Sequence, residues 1–346
     1  MSIQYLSGCA ALLVCLAALP VVKRFAQNFH LFDSPGPLKI HQGSIPRIGG
    51  IAMFAGFLAG CATLYVPPSR PSLLPLAVFA AIWAVGLIDD VRPLLPLFRF
   101  VVQIACGAAL WIADWRLQWF DSPVLDLLCT SLFVAFLINA MNLLDGMDGL
   151  AASTAAIVCV GFLIISAGQS RALEFTIAAS LFGACIGMLR VNAPPAKMFM
   201  GDSGSTLIGI VLAFLALNWV RSETDSRSIF VPLVFLSLPL ADAVLAILRR
   251  ARSRQRLFSG DRRHFYDILL QRGWSVESVL RFSVCVNAIL IFAGWLCARG
   301  ITGAWSTGLV VASALAIGAY LLDSLQPDLT TVQAGPREQS LESVVD

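Results

Sequence analysis

The sequence predicts an all-α protein that crosses a membrane about eleven times, and three observations carry that prediction. Apolar residues make up 58% of the chain and charged residues only 13%, against about 25% charged in a typical soluble protein. The mean hydropathy is +0.80. Apolar stretches of spanning length recur along the chain, and the basic residues between them gather on alternate loops. No soluble domain of 37.2 kDa can hide that much hydrocarbon, because roughly half of its surface still faces water. The same composition excludes a disordered chain and a secreted disulfide scaffold. All nine cysteines lie in apolar stretches and read as small hydrophobes.

A spanning helix needs about 20 mostly apolar residues. The candidates, in order, are 3–22, 48–66, 72–88, 99–113, 123–141, 149–167, 174–189, 205–220, 229–248, 279–297 and 302–322. The first lacks a basic start and a small-x-small cleavage site and ends in Lys23 and Arg24, so it reads as an anchor rather than a signal peptide. Eleven spans leave room for no sizeable soluble domain: residues 1–322 are expected to form a single transmembrane domain. Residues 323–346, with Pro327, Gly335, Pro336 and several acids, read as a short disordered tail. With eleven spans, 18 of the 24 Lys and Arg residues fall on one side of the membrane and 6 on the other. The basic-rich side is cytoplasmic by the positive-inside rule, so the N-terminus lies outside and the C-terminus inside.

Five carboxylates stand at span ends on that cytoplasmic side. Asp89 and Asp90 close the third span; Asp145 and Asp148 follow the fifth, after Asn142; Asp202 opens the eighth. Any one of them can be a helix cap or a marker of the water boundary. That reading explains neither the adjacent pair nor the one-sided clustering. Neighbouring carboxylates repel unless a cation or a shared proton relieves them. Hard oxygen ligands at several helix ends suit Mg²⁺, held by one or two carboxylates and substrate phosphates. Gly146, Gly149, Gly201 and Gly204 let backbone approach a ligand, and Ser205 lies near a helix start that attracts phosphate.

Lys39, Arg47, Arg99, Lys197 and the group Arg262, Arg263, His264 fall on the same face. Seven arginines lie between residues 249 and 263, and attraction to anionic headgroups accounts for the earlier ones. His264 is followed by Tyr266 and Asp267 in a loop able to fold back over the carboxylates, although a histidine with a purely structural role fits the pattern too. Carboxylates, a divalent cation and several basic groups at one membrane surface point to phosphoryl transfer between a soluble phosphorylated donor and a phosphorylated lipid.

These motifs resemble those of the polyprenyl-phosphate N-acetylhexosamine-1-phosphate transferases, of the glycosyltransferase family 4 type. The resemblance runs from about residue 39 to 273 with the motifs in the family's order. Lys39-Ile-His with Pro46-Arg-Ile-Gly-Gly50 resembles its first cytoplasmic loop, and Gly86-Leu-Ile-Asp-Asp90 its paired-aspartate motif. Arg99, with Gln103 beyond, stands where the family often has a lysine and then a glutamine. The segments from Asn142 to Leu150 and from Asn192 to Ser205 match closely, as does Pro239-Leu-Ala-Asp242 with Arg249 and Arg250.

The resemblance implies transfer of a sugar 1-phosphate from a UDP-sugar to undecaprenyl phosphate with release of UMP, at the bacterial inner membrane, with Mg²⁺ or Mn²⁺. It makes Asp202 and Asn142 metal or diphosphate ligands and Asp89 and Asp90 the acceptor-handling pair, with Asp202 the third catalytic residue. It makes Asp145, Asp148, Asn192 and Phe199 donor contacts, and Lys39, Arg99, Arg263 and His264 phosphate contacts. The family's histidine-rich track departs here to His264-x-Tyr266, similar to the O-antigen and capsule initiators and unlike the peptidoglycan enzyme. The implied donor is a UDP-N-acetylhexosamine or a 6-deoxy relative. A homodimer is compatible with the resemblance, and no nucleic-acid partner is expected. Two rivals remain: a transporter or lipid flippase, which predicts acids near the midplane and broken helices, and a membrane hydrolase in which water replaces the lipid.

Overall fold

The computed structural model describes residues 6–33, 44–64, 73–167, 171–222, 227–253 and 263–324. Of the expected tail, 323–346, the first two residues continue the last helix, which ends at Ser324, and the rest lies outside the described residues, as do Lys39 and Arg262. The helices are α1 (Ser7–Asn28), α2 (Gly50–Cys61), α3 (Leu73–Val91), α4 (Pro96–Ile112), α5 (Pro123–Leu144), α6 (Leu150–Ala167) and α7 (Ala172–Asn192). They continue with α8 (Gly201–Ser222), α9 (Arg227–Phe235), α10 (Ser237–Arg252), α11 (Phe265–Gln271), α12 (Val276–Ala298) and α13 (Ala304–Ser324). Two two-residue strands, β1 (Phe32–Asp33) and β2 (Ile45–Pro46), pair antiparallel.

Each of the eleven expected stretches contains helix. Among the described residues seven helices are long and apolar enough to cross a membrane, one bent pair joins them, and α2, α4 and the start of α13 are shorter apolar helices. The chain is a multi-pass, all-α membrane protein. At 1.5 Å per residue α2 extends only about 18 Å. The ninth stretch differs from expectation: α9 and α10 meet at an angle of 77°. Pro239 explains the break, because it has no N–H to donate to the carbonyl of Phe235 and its ring crowds that group. The hairpin of β1 and β2 and the short α11 were not anticipated.

Helix α8 is the axis of the bundle. Nearly all of its residues are buried, and α3, α5, α2 and α9 pack around it. Phe214 meets Phe79 of α3 and Trp115 in edge or tilted ring contacts. Farther out, α1 and α7 pack on α2, and α12 covers α6 and α9. A buried polar cluster closes the end of α8 remote from Asp202. There Glu174 accepts hydrogen bonds from Asn218 (2.6 Å) and Ser166 (3.1 Å), and Trp115 Nε1 donates to Asn218 (2.9 Å). None of the nine cysteines forms a disulfide.

Candidate active site

Four helices bring polar side chains together at one end of the bundle: α3 with Asp89 and Asp90, α4 with Arg99, α5 with Asn142 and α8 with Asp202. Gly86 permits the approach of α3 to α8. A Cβ there would lie 2.7 Å from both the Asp202 carbonyl and Thr206 Oγ1, inside contact distance. The two aspartates of α3 then diverge, since successive residues on a helix are about 100° apart.

Asp90 turns into the N-terminus of α8. Its Oδ1 accepts from the Asp202 N–H (2.7 Å) and Arg47 Nη2 (3.1 Å), and its Oδ2 from the Ser203 N–H (3.0 Å) and Oγ (2.7 Å). It therefore caps α8 from another helix, satisfying donors that have no partner within their own. Gly201 adopts φ +71°, and a side chain on it would overlap the Asp90 carboxylate and the Arg47 carbonyl. The Arg47 loop is itself laced to the start of α8. Phe199 N–H donates to the Pro46 carbonyl (2.8 Å), Gly49 N–H to Phe199 (2.9 Å) and Gly50 N–H to Met200 (2.8 Å).

Asp89 faces the other way. Its Oδ1 accepts the Leu94 N–H (2.6 Å) and its Oδ2 pairs with Arg99 Nη1. The same guanidinium nitrogen donates to Asp202 Oδ2 at 3.0 Å. Asp202 Oδ1 accepts from Asn142 Nδ2 at 2.9 Å, and that nitrogen also reaches Ser205 Oγ at 3.1 Å. One cation thus bridges two carboxylates from different helices, beside an amide from a third. A cleft opens here, lined by Gly86, Arg99, Gln103, Asn139, Asn142 and Asp202, with Ile82, Val85 and Thr206 along its walls.

The remaining expected contacts lie around this centre. Asp145 follows the last residue of α5. Burial, reinforced by the negative charge of Asp202, Asp90 and Asp148, pushes its carboxyl well above the usual carboxylate range. Asp148 Oδ2 accepts the Ala196 N–H (2.9 Å). Asn192 is buried, accepting the Gly149 N–H and donating to the Met198 carbonyl, both at 3.2 Å. Asp148 and Asn192 therefore tie the α5–α6 turn to the loop before α8. Phe199 sits half-buried in that loop.

Arg263 is exposed, and His264 begins α11 with its side chain almost wholly buried. His264 Nδ1 lies 2.6 Å from Asp242 Oδ2, whose Oδ1 accepts the Phe265 N–H at 3.1 Å. Its ring stacks on Tyr266, and its N–H donates to Asp267 (3.2 Å). The Tyr266 hydroxyl donates to the Leu143 carbonyl (3.2 Å) and rests against Gly146. His264 thus ties the start of α11 to α10, Tyr266 rests α11 against the end of α5, and the phosphate-contact reading of His264 gains no direct geometry.

Among the described residues no three His, Cys, Asp or Glu side chains gather to cage a metal. The cleft offers the Asp202 carboxylate and the Asn142 amide instead, with the Asp89 carboxylate joined to them through Arg99. That hard-oxygen set fits a divalent cation whose shell is completed by water and substrate phosphate.

Residues 72–220 match glycosyl transferase family 4. The decaprenyl-phosphate N-acetylglucosaminephosphotransferase of Mycobacterium tuberculosis (strain ATCC 25618 / H37Rv) is 31% identical over 316 residues, covering 80% of this chain and 78% of that protein. The chain belongs to the polyprenyl-phosphate N-acetylhexosamine-1-phosphate transferase family. The probable undecaprenyl-phosphate N-acetylglucosaminyl 1-phosphate transferase of Bacillus subtilis (strain 168) is also similar, 29% identical over 297 residues and covering 81% of this chain and 83% of the relative. An undecaprenyl-phosphate α-N-acetylglucosaminyl 1-phosphate transferase of Escherichia coli (strain K12) is 28% identical over 293 residues, covering 79% and 78%.

Within this transferase, Gln103, Asn139 and Asp242 were not among the expected site residues. Gln103 stands four residues after Arg99 and Asn139 three before Asn142, so the helical period was the available signal. Asp242 carried a weaker one, its place in the Pro239-Leu-Ala-Asp242 match. The transporter reading predicted a broken span, and one exists; its break at Leu236 carries no charge, and the clustered carboxylates stand at helix ends.

Proposed function

We propose that this transferase moves an N-acetylhexosamine 1-phosphate from a UDP-sugar to a polyprenyl phosphate such as undecaprenyl phosphate, releasing UMP. The observation that carries this is Arg99 bridging Asp89 and Asp202 at the mouth of a cleft that runs into the bundle. A charged centre there is within reach of both a soluble diphosphate and a phosphate carried on a lipid. An oxygen of the lipid phosphate attacks the β-phosphorus of the donor. The bond from that phosphorus to the oxygen bridging to the α-phosphorus breaks, and UMP carries that oxygen away. The lipid phosphate has a second pKa of about 6, so it arrives largely dianionic at pH 7 and needs no strong base.

Arg99 neutralises charge on the transferring phosphates, and Asp89 orients the acceptor or takes its residual proton. Asp90 sets the direction of α8 and so the position of Asp202. Asp202 and Asn142 would hold Mg²⁺, which would supply charge neutralisation at the diphosphate. Asp145, Asp148, Asn192, Phe199, Arg263 and His264 border or support the donor side, and Lys39 contributes a phosphate contact by the family motif alone. The centre faces the cytoplasm, in keeping with the excess of basic residues on that side. The donor sugar supported best is N-acetylglucosamine, by the names of the relatives. The product starts an envelope polysaccharide of O-antigen or capsule type, by the His264-x-Tyr266 pattern.

Purified protein given a panel of UDP-sugars tests this reading. UMP formed only when undecaprenyl phosphate is also present supports transfer. UMP without lipid indicates hydrolysis, and no UMP with any donor indicates transport.

A further inference from the structure

The cleft has two tiers. Asp89, Arg99, Asn142 and Asp202 form the first, at the helix ends. The second lies one turn inward on the same helices: Val85 and Gly86 on α3, Gln103 on α4, Asn139 on α5 and Thr206 on α8. One turn is about 5.4 Å along each helix axis, toward the interior of the bilayer. Thr206 spends its hydroxyl on the Asp202 carbonyl (2.7 Å). Gln103 is 5% exposed, and its Oε1 accepts from Asn139 Nδ2 at 2.6 Å. Asn139 Nδ2 is shared with the Ala135 carbonyl (2.7 Å). Among the described residues, the Gln103 Nε2 donors have no partner, and the side chain lines the cleft. Those N–H groups are open to the cleft, where an acceptor brought by a ligand can meet them.

We propose that Gln103, held by Asn139, binds an oxygen of the lipid-borne phosphate on the membrane side of Arg99. This deepens the transferase reading and rests on it. A phosphate oxygen accepts only, which matches an amide presenting only its N–H groups. The wall beside Gln103 is Ile82 and Val85, apolar surface suited to the first part of a hydrocarbon chain. The soluble diphosphate enters from the open end and meets Arg99 first. A lipid phosphate comes from the bilayer and reaches the inner tier first. Stacked this way, its attacking oxygen stands beneath the β-phosphorus of the donor, the geometry that in-line displacement requires.

The test compares wild type, Gln103→Met, which keeps volume, and Gln103→Asn, which keeps the amide but withdraws it. Full-length protein in nanodiscs is assayed for KM of undecaprenyl phosphate, KM of the UDP-sugar, thermal midpoint and direct binding of labelled undecaprenyl phosphate without donor. The expected result is a rise of about tenfold in acceptor KM, the scale of one hydrogen bond to a charged group, with donor KM and midpoint unchanged. Acceptor binding falls by the same factor. Unchanged acceptor binding in both variants overturns the proposal and leaves a water at Gln103. A rise in donor KM alone overturns it by assigning the amide to the nucleotide's phosphate. If wild type binds the lipid but releases no UMP with any donor, the transferase reading fails while the binding comparison still decides Gln103.

Discussion

Asp90→Asn and Asp89→Asn, neighbouring substitutions of identical chemistry, should fail in different ways. Four donors converge on the Asp90 carboxylate, among them the Arg47 guanidinium and two backbone N–H groups of α8. Asparagine removes the charge and points an NH₂ at groups that themselves donate. Breaking a buried charged pair costs about 3–5 kcal/mol. The Asp90 side chain is fully buried but Arg47 is 30% exposed, so water recovers part of the loss, and the low end, about 3 kcal/mol, applies. At Asp89, Asn still accepts the Leu94 N–H, and the lost partner is an Arg99 that is 32% exposed and keeps Asp202. That loss is about 1 kcal/mol or less. Melting of the detergent-purified variants followed by tryptophan fluorescence, alongside the UMP-release assay, separates the two. Asp90→Asn lowers the midpoint by several degrees and takes activity with it; Asp89→Asn melts near wild type and loses turnover alone. Equal midpoints for the two variants would refute the assignment of Asp90 to the cap of α8.

Asp202→Asn should leave the protein folded and reduce turnover by about 10²–10³-fold, the scale of one lost electrostatic contact in an active site; retained activity would remove Asp202 from the centre. EDTA should abolish turnover and Mg²⁺ or Mn²⁺ restore it, measured by UMP release. Gly86→Val should lose both stability and activity, because its Cβ meets the Asp202 carbonyl and Thr206 at 2.7 Å; a wild-type melting curve would contradict the close crossing of α3 and α8. The raised Asp145 carboxyl binds its proton more tightly folded than unfolded, so its contribution to stability declines as pH rises above the unfolded value of about 4. Asp145→Asn in EDTA should therefore melt higher than wild type at pH 8, with the gap closing toward pH 4, as read from midpoints across that range.

Much of the centre was legible in the sequence because a charge at the end of an apolar stretch stands out. Asp89 and Asp202 were marked that way and Asn142 by the family motif, and the three do come together around Arg99 and Asp202. What divides Asp89 from Asp90 was not legible, since the 100° between them matters only once α8 lies against one side of α3. Gln103 and Asn139 carry no charge and sit inside stretches whose apolar average conceals them; Gln103 showed only in the family motif after Arg99, and Asn139 only by its spacing from Asn142. The break at Leu236 was present as Pro232 and Pro239, but both lie in an uninterrupted apolar run and hydropathy passes over them. His264 looked like a ligand because it stands among arginines. Its ring also pairs with Asp242, 22 residues away on a different helix, a contact no local pattern reveals.

The enclosure of α8 bears on how this enzyme responds to random mutation. A residue such as Phe214 or Leu215 touches no phosphate, yet truncating it opens a void at the heart of the molecule, at a cost of about 2–5 kcal/mol. A loss-of-function screen will therefore mark nearly the whole helix, mixing residues that bind with residues that merely fill space. Sorting hits by protein level in the membrane recovers the distinction: the chemically essential positions cluster in the first turns, and the remainder deplete the protein before they can slow it.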